Sequence, residues 1–144
     1  CIRDRLWNVL PYHPFLIKPN HHELGEMFGV ELDNEEKIIT YAKKLQEQGS
    51  TNVLISMAGA GAILLTEAGQ IYRGDAPKGT VINSVGAGDS MVAGFLTGYL
   101  NTGNYEKAFH LGIASGSASA FVSWLAKKEE VTALLNEPKE TFGL

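Results

Sequence analysis

The chain has 144 residues, 44% apolar and 19% charged, with a net charge of −4 and a single cysteine, Cys1. Its length suits one domain with one sizeable core, and its acidic balance speaks against a nucleic-acid surface, which shows a basic face. One cysteine excludes an internal disulfide framework, no apolar run approaches the roughly 20 residues of a membrane span, and no leader pattern opens the sequence, so a cytoplasmic protein without nucleic-acid or membrane partners is expected.

Residues 6–10 read as a short helical or irregular lead-in that ends at Pro11. The apolar run Phe15-Leu16-Ile17-Lys18, bounded by Pro14 and Pro19, reads as a buried strand. Asn20 then caps a helix, with Glu23 three residues on, an apolar face of Leu24, Met27 and Phe28, and Gly29 as its stop. Asp33 or Asn34 caps a second helix that runs to about Gln48, with Ile38, Ile39, Ala42 and Leu45 at helical spacing. Val53-Leu54-Ile55-Ser56 is a second buried strand, residues 59–61 a break, and residues 62–66 a third strand. Glu67-Ala68-Gly69-Gln70 reads as a hairpin turn into Ile71-Tyr72-Arg73. Val81 and Ile82 form a last short strand. Three helices follow, over residues 87–100, 105–124 and 128–135, and a loose tail begins after Pro138. Strands that alternate with helices, and that are apolar throughout, imply an α/β sheet covered on both faces.

Four places could carry chemistry. In Asn83-Ser84-Val85-Gly86-Ala87-Gly88-Asp89-Ser90, two glycines and an acid stand at the mouth of a helix. A helix N-terminus has unpaired N–H groups and a partial positive charge, and glycine lets an anion approach its backbone. Taken alone, the turn reads equally well as a bend with a favourable first-turn acid. It is not a Walker A loop, because no Gly-Lys-[Ser/Thr] follows, and Met91 replaces the third glycine of a dinucleotide fingerprint. The second place, Ser56-Met57-Ala58-Gly59-Ala60-Gly61, follows a strand, where ligands bind in open α/β sheets; an ordinary tight turn explains it as well. The third is Lys18-Pro19-Asn20-His21-His22-Glu23. Lys18 could meet a phosphate, and Asn20 with Glu23 could order a Mg2+ hydration shell or simply form a capping box. Adjacent histidines on a helix point apart, so His21 and His22 read as solvated, and His13 and His110 as structural. The fourth is the small-residue stripe Gly112, Ser115, Gly116 and Ser119, which suits close packing on a neighbouring helix or on a flat ligand.

Together these segments resemble the C-terminal half of the PfkB (ribokinase-like) sugar kinases, over nearly the whole chain from about Leu6. The resemblance implies a three-layer sandwich, in which residues 1–144 form the C-terminal, nucleotide-binding part of the kinase domain. Its sheet is mostly parallel and flanked by helices. Residues 14–24 and 83–94 are most like the branch that transfers the ATP γ-phosphoryl group to the 6-hydroxyl of fructose 1-phosphate. Kinases of tagatose 6-phosphate or of another sugar, and a non-catalytic nucleotide-binding fragment, are the alternatives. The implied roles are Asp89 as base and Gly86, Ala87 and Gly88 as anion hole. Ser56, Met57, Ala58, Gly59, Ala60 and Gly61 line the ATP site, with Asn20 and Gly88 near its phosphates and Gly112 and Gly116 beside the adenine. Lys18 meets the sugar phosphate, and Glu23 holds Mg2+ through water. The family has Asp-Thr where this chain has Asn83-Ser84, and a glycine where Ala58 stands. Its N-terminal half, with the lid through which members form homodimers and most sugar contacts, is expected to lie outside these residues. The chain alone is therefore expected to be inactive.

Overall fold

A computed structural model describes residues 2–79 and 86–121, together with 132, 133 and 135. Helix α1 (Ile2–Val9) runs into a 3-10 turn (Leu10–Tyr12) and strand β1 (Leu16–Ile17). Helices α2 (His21–Phe28) and α3 (Glu35–Glu47) lead to β2 (Asn52–Ser56), a 3-10 turn (Ala58–Ala60), β3 (Ala62–Leu65) and β4 (Ile71–Gly74). Helices α4 (Ala87–Thr102) and α5 (Tyr105–Phe121) complete the described chain. The expected strand at Val81 and Ile82, the Asn83-Ser84-Val85 segment, the end of the helix expected to reach residue 124 and most of the helix expected over 128–135 lie outside the described residues. No helix among the described residues is long and apolar enough to cross a membrane.

The described strands form one sheet in the order β1-β2-β3-β4. Strands β1 and β2 are parallel, with Leu16 opposite Asn52 and Ile17 opposite Val53. The crossover between them carries α2 and α3, as a parallel pair requires. From β2 to β3, and again from β3 to β4, the connection is five residues (57–61 and 66–70). Connections that short join only antiparallel neighbours, so the sheet is mixed. The β3–β4 turn falls at Glu67–Gln70 as the sequence suggests, closed by the Thr66 N–H donating to the Gln70 carbonyl at 2.9 Å.

Two compact units make up the chain. One holds the described residues through Ala58 with Ile63–Tyr72; the other holds Gly59–Ala62 and the described residues from Arg73 onward. In the first, Val53, Ile55, Ile63 and Leu65 share one face of the sheet and pack with Leu24, Ile38 and Leu45 of α2 and α3. Leu54 and Leu64, on the opposite face by strand alternation, are buried as well, which is why these strands read as unbroken apolar runs. Asn52 is fully buried yet satisfied: its side-chain amide donates to the Phe15 carbonyl at 3.0 Å and its carbonyl accepts from the Glu67 N–H at 2.9 Å. The fixed polar pairs tie β1 and the hairpin to the start of β2.

The second unit is dominated by the α4–α5 hairpin, whose helices are separated only by Gly103 and Asn104. They run antiparallel and touch through small residues. A Cβ on Gly94 would stand 2.3 Å from the Ser115 hydroxyl oxygen, and one on Gly98 2.8 Å from the Ala108 Cα. With no side chain in the way, the two backbones approach more closely than ridges of larger residues allow.

Candidate active site

The chemistry of a helix start depends on what its first N–H groups bind. In α2 they are closed reciprocally: Asn20 Oδ1 accepts the Glu23 N–H at 2.8 Å, and Glu23 Oε2 accepts the Asn20 N–H at 2.9 Å. Asn34 Oδ1 caps α3 through the Lys37 N–H at 2.9 Å, and Asn104 Oδ1 caps α5 through the Lys107 N–H at 3.0 Å. Helix α4 differs, because its N-cap is Gly86 and no side chain among the described residues caps it. Gly86 has φ +82°, a left-handed conformation that glycine adopts without strain. The Ser90 N–H closes the helix onto the Gly86 carbonyl at 2.9 Å. The N–H groups of Ala87, Gly88 and Asp89 precede that bond at the positive end of a 16-residue helix. The Asp89 side chain is exposed in this first turn. An anion placed here would meet backbone donors with a carboxylate beside it.

In the first unit, the ends of β1 and β2 bring Lys18, Asn20, Glu23 and Ser56 to one edge. The Ser56 N–H donates to the Pro19 carbonyl at 3.2 Å, and Asn20, past the end of β1, forms an isolated parallel bridge with Ser56 at the end of β2. Lys18 is half-buried at the end of β1. The capping box engages one oxygen of the Glu23 carboxylate, so the cap and any metal would share this side chain. Among the described residues, no three His, Cys, Asp or Glu side chains gather as a metal cluster.

The turn after β2 is divided between the units, with Ser56, Met57 and Ala58 in the first and Gly59, Ala60 and Gly61 in the second. Met57 is buried, whereas Ala58, Gly59 and Ala60 are exposed. Gly61 has φ +96°, and a Cβ on it would lie 2.0 Å from the Gly74 carbonyl oxygen. Glycine there permits contact between the turn and the end of β4.

The sequence pattern of the pfkB family carbohydrate kinases matches residues 2–129. The chain belongs to that family. It is 54% identical over 138 residues to a Bacillus subtilis 1-phosphofructokinase, a match covering 96% of this chain and 45% of the relative. A Bacillus licheniformis D-tagatose-1-phosphate kinase is 38% identical over 117 residues, covering 81% of this chain and 38% of that protein. The chain thus spans less than half the length of either relative. The Arabidopsis thaliana ribokinase solved with ribose and ATP superposes with a TM-score of 0.77 at 22% identity, over 85% of this chain and 41% of its own. That likeness is one of fold, and it agrees with the ribokinase-like α/β sandwich expected from the sequence.

Ala58, in the turn after β2, has φ +48°, left-handed for a residue with a Cβ. Gly112 and Gly116 of the small-residue stripe face α4. A Cβ on Gly112 would stand 3.0 Å from the Met91 carbonyl oxygen, and one on Gly116 3.0 Å from that of Ala87. Their missing side chains serve helix packing. His22 is exposed as expected, but the rings of His21 and His22 lie 3.9 Å apart rather than diverging, and His21 Nδ1 is buried with no hydrogen-bond partner among the described residues. One contact near Asp89 escaped the sequence reading: Ser119 on α5 donates its hydroxyl to Ser90 Oγ at 2.6 Å. The signal was small residues at spacings of three and four on both helices, Gly94 and Gly98 as well as Gly112, Ser115, Gly116 and Ser119.

Proposed function

We propose that these 144 residues are the nucleotide-side part of a pfkB-family kinase domain that transfers the ATP γ-phosphoryl group to the 6-hydroxyl of fructose 1-phosphate. The observation that carries this reading is the helix start at Gly86. It is the one start among α2, α3, α4 and α5 with no asparagine cap, and it carries Asp89. In this reading Asp89 accepts the hydroxyl proton as the sugar oxygen attacks the γ-phosphorus and ADP leaves. The N–H groups of Gly86, Ala87 and Gly88 stabilise charge on the transferring group. Phosphoryl transfer demands positioning and charge stabilisation of this kind.

Ser56, Met57, Ala58, Gly59, Ala60 and Gly61 are assigned to the nucleotide, Asn20 to its phosphates and Lys18 to the sugar phosphate. The residues fit Mg2+ at Glu23: the ion favours hard oxygen and takes one or two carboxylates, with phosphate and water completing its shell. Bound with ATP, Mg2+ would neutralise charge on the phosphates. An ATP-consuming reaction on a sugar phosphate accords with a cytoplasmic location.

Asp89→Asn in the complete kinase domain tests the assignment. Loss of a positioned base lowers kcat by about 10²- to 10⁴-fold while ATP binding persists; unchanged turnover overturns the assignment of Asp89 as base and leaves these residues a nucleotide-binding role without the chemical step. The 144 residues alone should not form fructose 1,6-bisphosphate at a steady rate. Likeness to the D-tagatose-1-phosphate kinase supports a tagatose phosphate as second acceptor. Comparing kcat/KM for the two sugar phosphates decides between them.

A further inference from the structure

We infer that Ser119 is a positioning residue for the Asp89 turn, an inference that rests on Asp89 acting as the base. Two contacts reach the first turn of α4 from one face of α5, through residues three apart. Ser119, only 3% exposed, donates its hydroxyl to Ser90 Oγ at 2.6 Å. Gly116 lies against the Ala87 backbone, where an added Cβ would come within 3.0 Å of the carbonyl oxygen and 3.2 Å of the Met91 Cβ. The residues held, Ala87 and Ser90, bracket Gly88 and Asp89.

A first helical turn has few backbone bonds of its own and is the part of a helix that frays. A turn that must aim a carboxylate and three N–H groups needs support from outside the helix. Close packing at Gly116 sets the distance of the turn from α5. A hydrogen bond is directional as packing is not, so the Ser119–Ser90 bond sets its rotation. Two alanines would fill the same place without burying hydroxyls that must be paired. The hydroxyl pair is therefore explained by orientation better than by stability.

The test is steady-state kinetics and thermal unfolding of the complete kinase domain, with Ser119→Ala, Ser90→Ala, the double variant, Ile113→Val and Asp89→Asn. Ile113 is a buried α5 residue, so its truncation reports general loosening of the helix pair. Ser119→Ala is expected to lower kcat about 10-fold with KM for ATP within twofold, since sub-ångström misplacement costs rate rather than ground-state binding. Ile113→Val is expected to lower Tm but leave kcat within twofold. The double variant should be no slower than the slower single, because the two hydroxyls act as one unit. Unchanged kcat in Ser119→Ala, an equal loss in Ile113→Val, or multiplicative losses in the double variant would each overturn the inference while Asp89→Asn remains inactive. If Asp89→Asn itself turns over normally, the base assignment falls first, and the inference with it.

Discussion

The turn after β2 supports a paired prediction of opposite signs two residues apart. In Gly61→Ala the new Cβ would stand 2.0 Å from the Gly74 oxygen, 2.9 Å from the Gly74 carbonyl carbon and 2.8 Å from the Asp75 Cα. All three are backbone atoms, so no side chain can swing aside. Real Cβ atoms essentially never come within 3.0 Å, so the segments must separate by at least 3.0 − 2.0 = 1.0 Å. Overpacking of that kind costs about 1–3 kcal/mol. The backbone at φ +96° adds about 1–3 kcal/mol for a residue with a Cβ. The sum, roughly 2–6 kcal/mol, is a large part of a typical domain stability of about 5–15 kcal/mol. In Gly59→Ala the new Cβ meets nothing within 4 Å. Alanine there narrows the unfolded ensemble and should stabilise by about 0.4–1 kcal/mol. Urea unfolding with a shared m-value measures both. If Gly61→Ala unfolds at the wild-type midpoint, or Gly59→Ala is the more damaging, the turn is not held by its approach to Gly74.

Asn20→Asp should leave the unfolding midpoint nearly unchanged, because Asp caps a helix as well as Asn, yet raise KM for ATP by placing a carboxylate beside the phosphates; an unchanged KM would make Asn20 a cap alone. Gly86→Asn tests the other helix start: asparagine tolerates a left-handed φ, so stability should fall by no more than about 1 kcal/mol, while a carboxamide over the first-turn N–H groups should depress kcat at least tenfold. Full activity in that variant would remove the anion hole from the reading.

Local structure was largely legible because local chemistry decides it here. The Asn20–Glu23 box, the Asn34 cap, Gly29 as the stop of α2 and the turn at Glu67–Gln70 each follow from a few neighbouring residues. The buried strands were legible because a covered sheet leaves no polar face to break the apolar run. What escaped depends on partners distant in sequence. The left-handed Ala58 cannot be seen in a list of side chains, since alanine seldom takes that conformation. Gly112 and Gly116 showed smallness without direction, and only the geometry of α4 reveals which neighbour the missing Cβ makes room for. The Ser119–Ser90 bond joins residues 29 apart, and nothing local to either serine specifies the other.

The glycine turn of α4 can be weighed against the other helix starts of the same chain. Glycine-rich helix starts are common, and a first-turn acid is favourable at any of them. The informative comparison is with the other starts of the same molecule. Helices α2, α3 and α5 each spend an asparagine side chain on a first-turn N–H, the usual way to satisfy donors that the helix leaves open. At Gly86 the side chain that would do so is missing, and the same helix is held from behind by Gly116 and Ser119. An uncapped start that is otherwise firmly supported is poor design for a helix alone and good design for a helix that binds an anion. That contrast, more than the presence of two glycines and an aspartate, supports the anion site proposed at Gly86–Asp89.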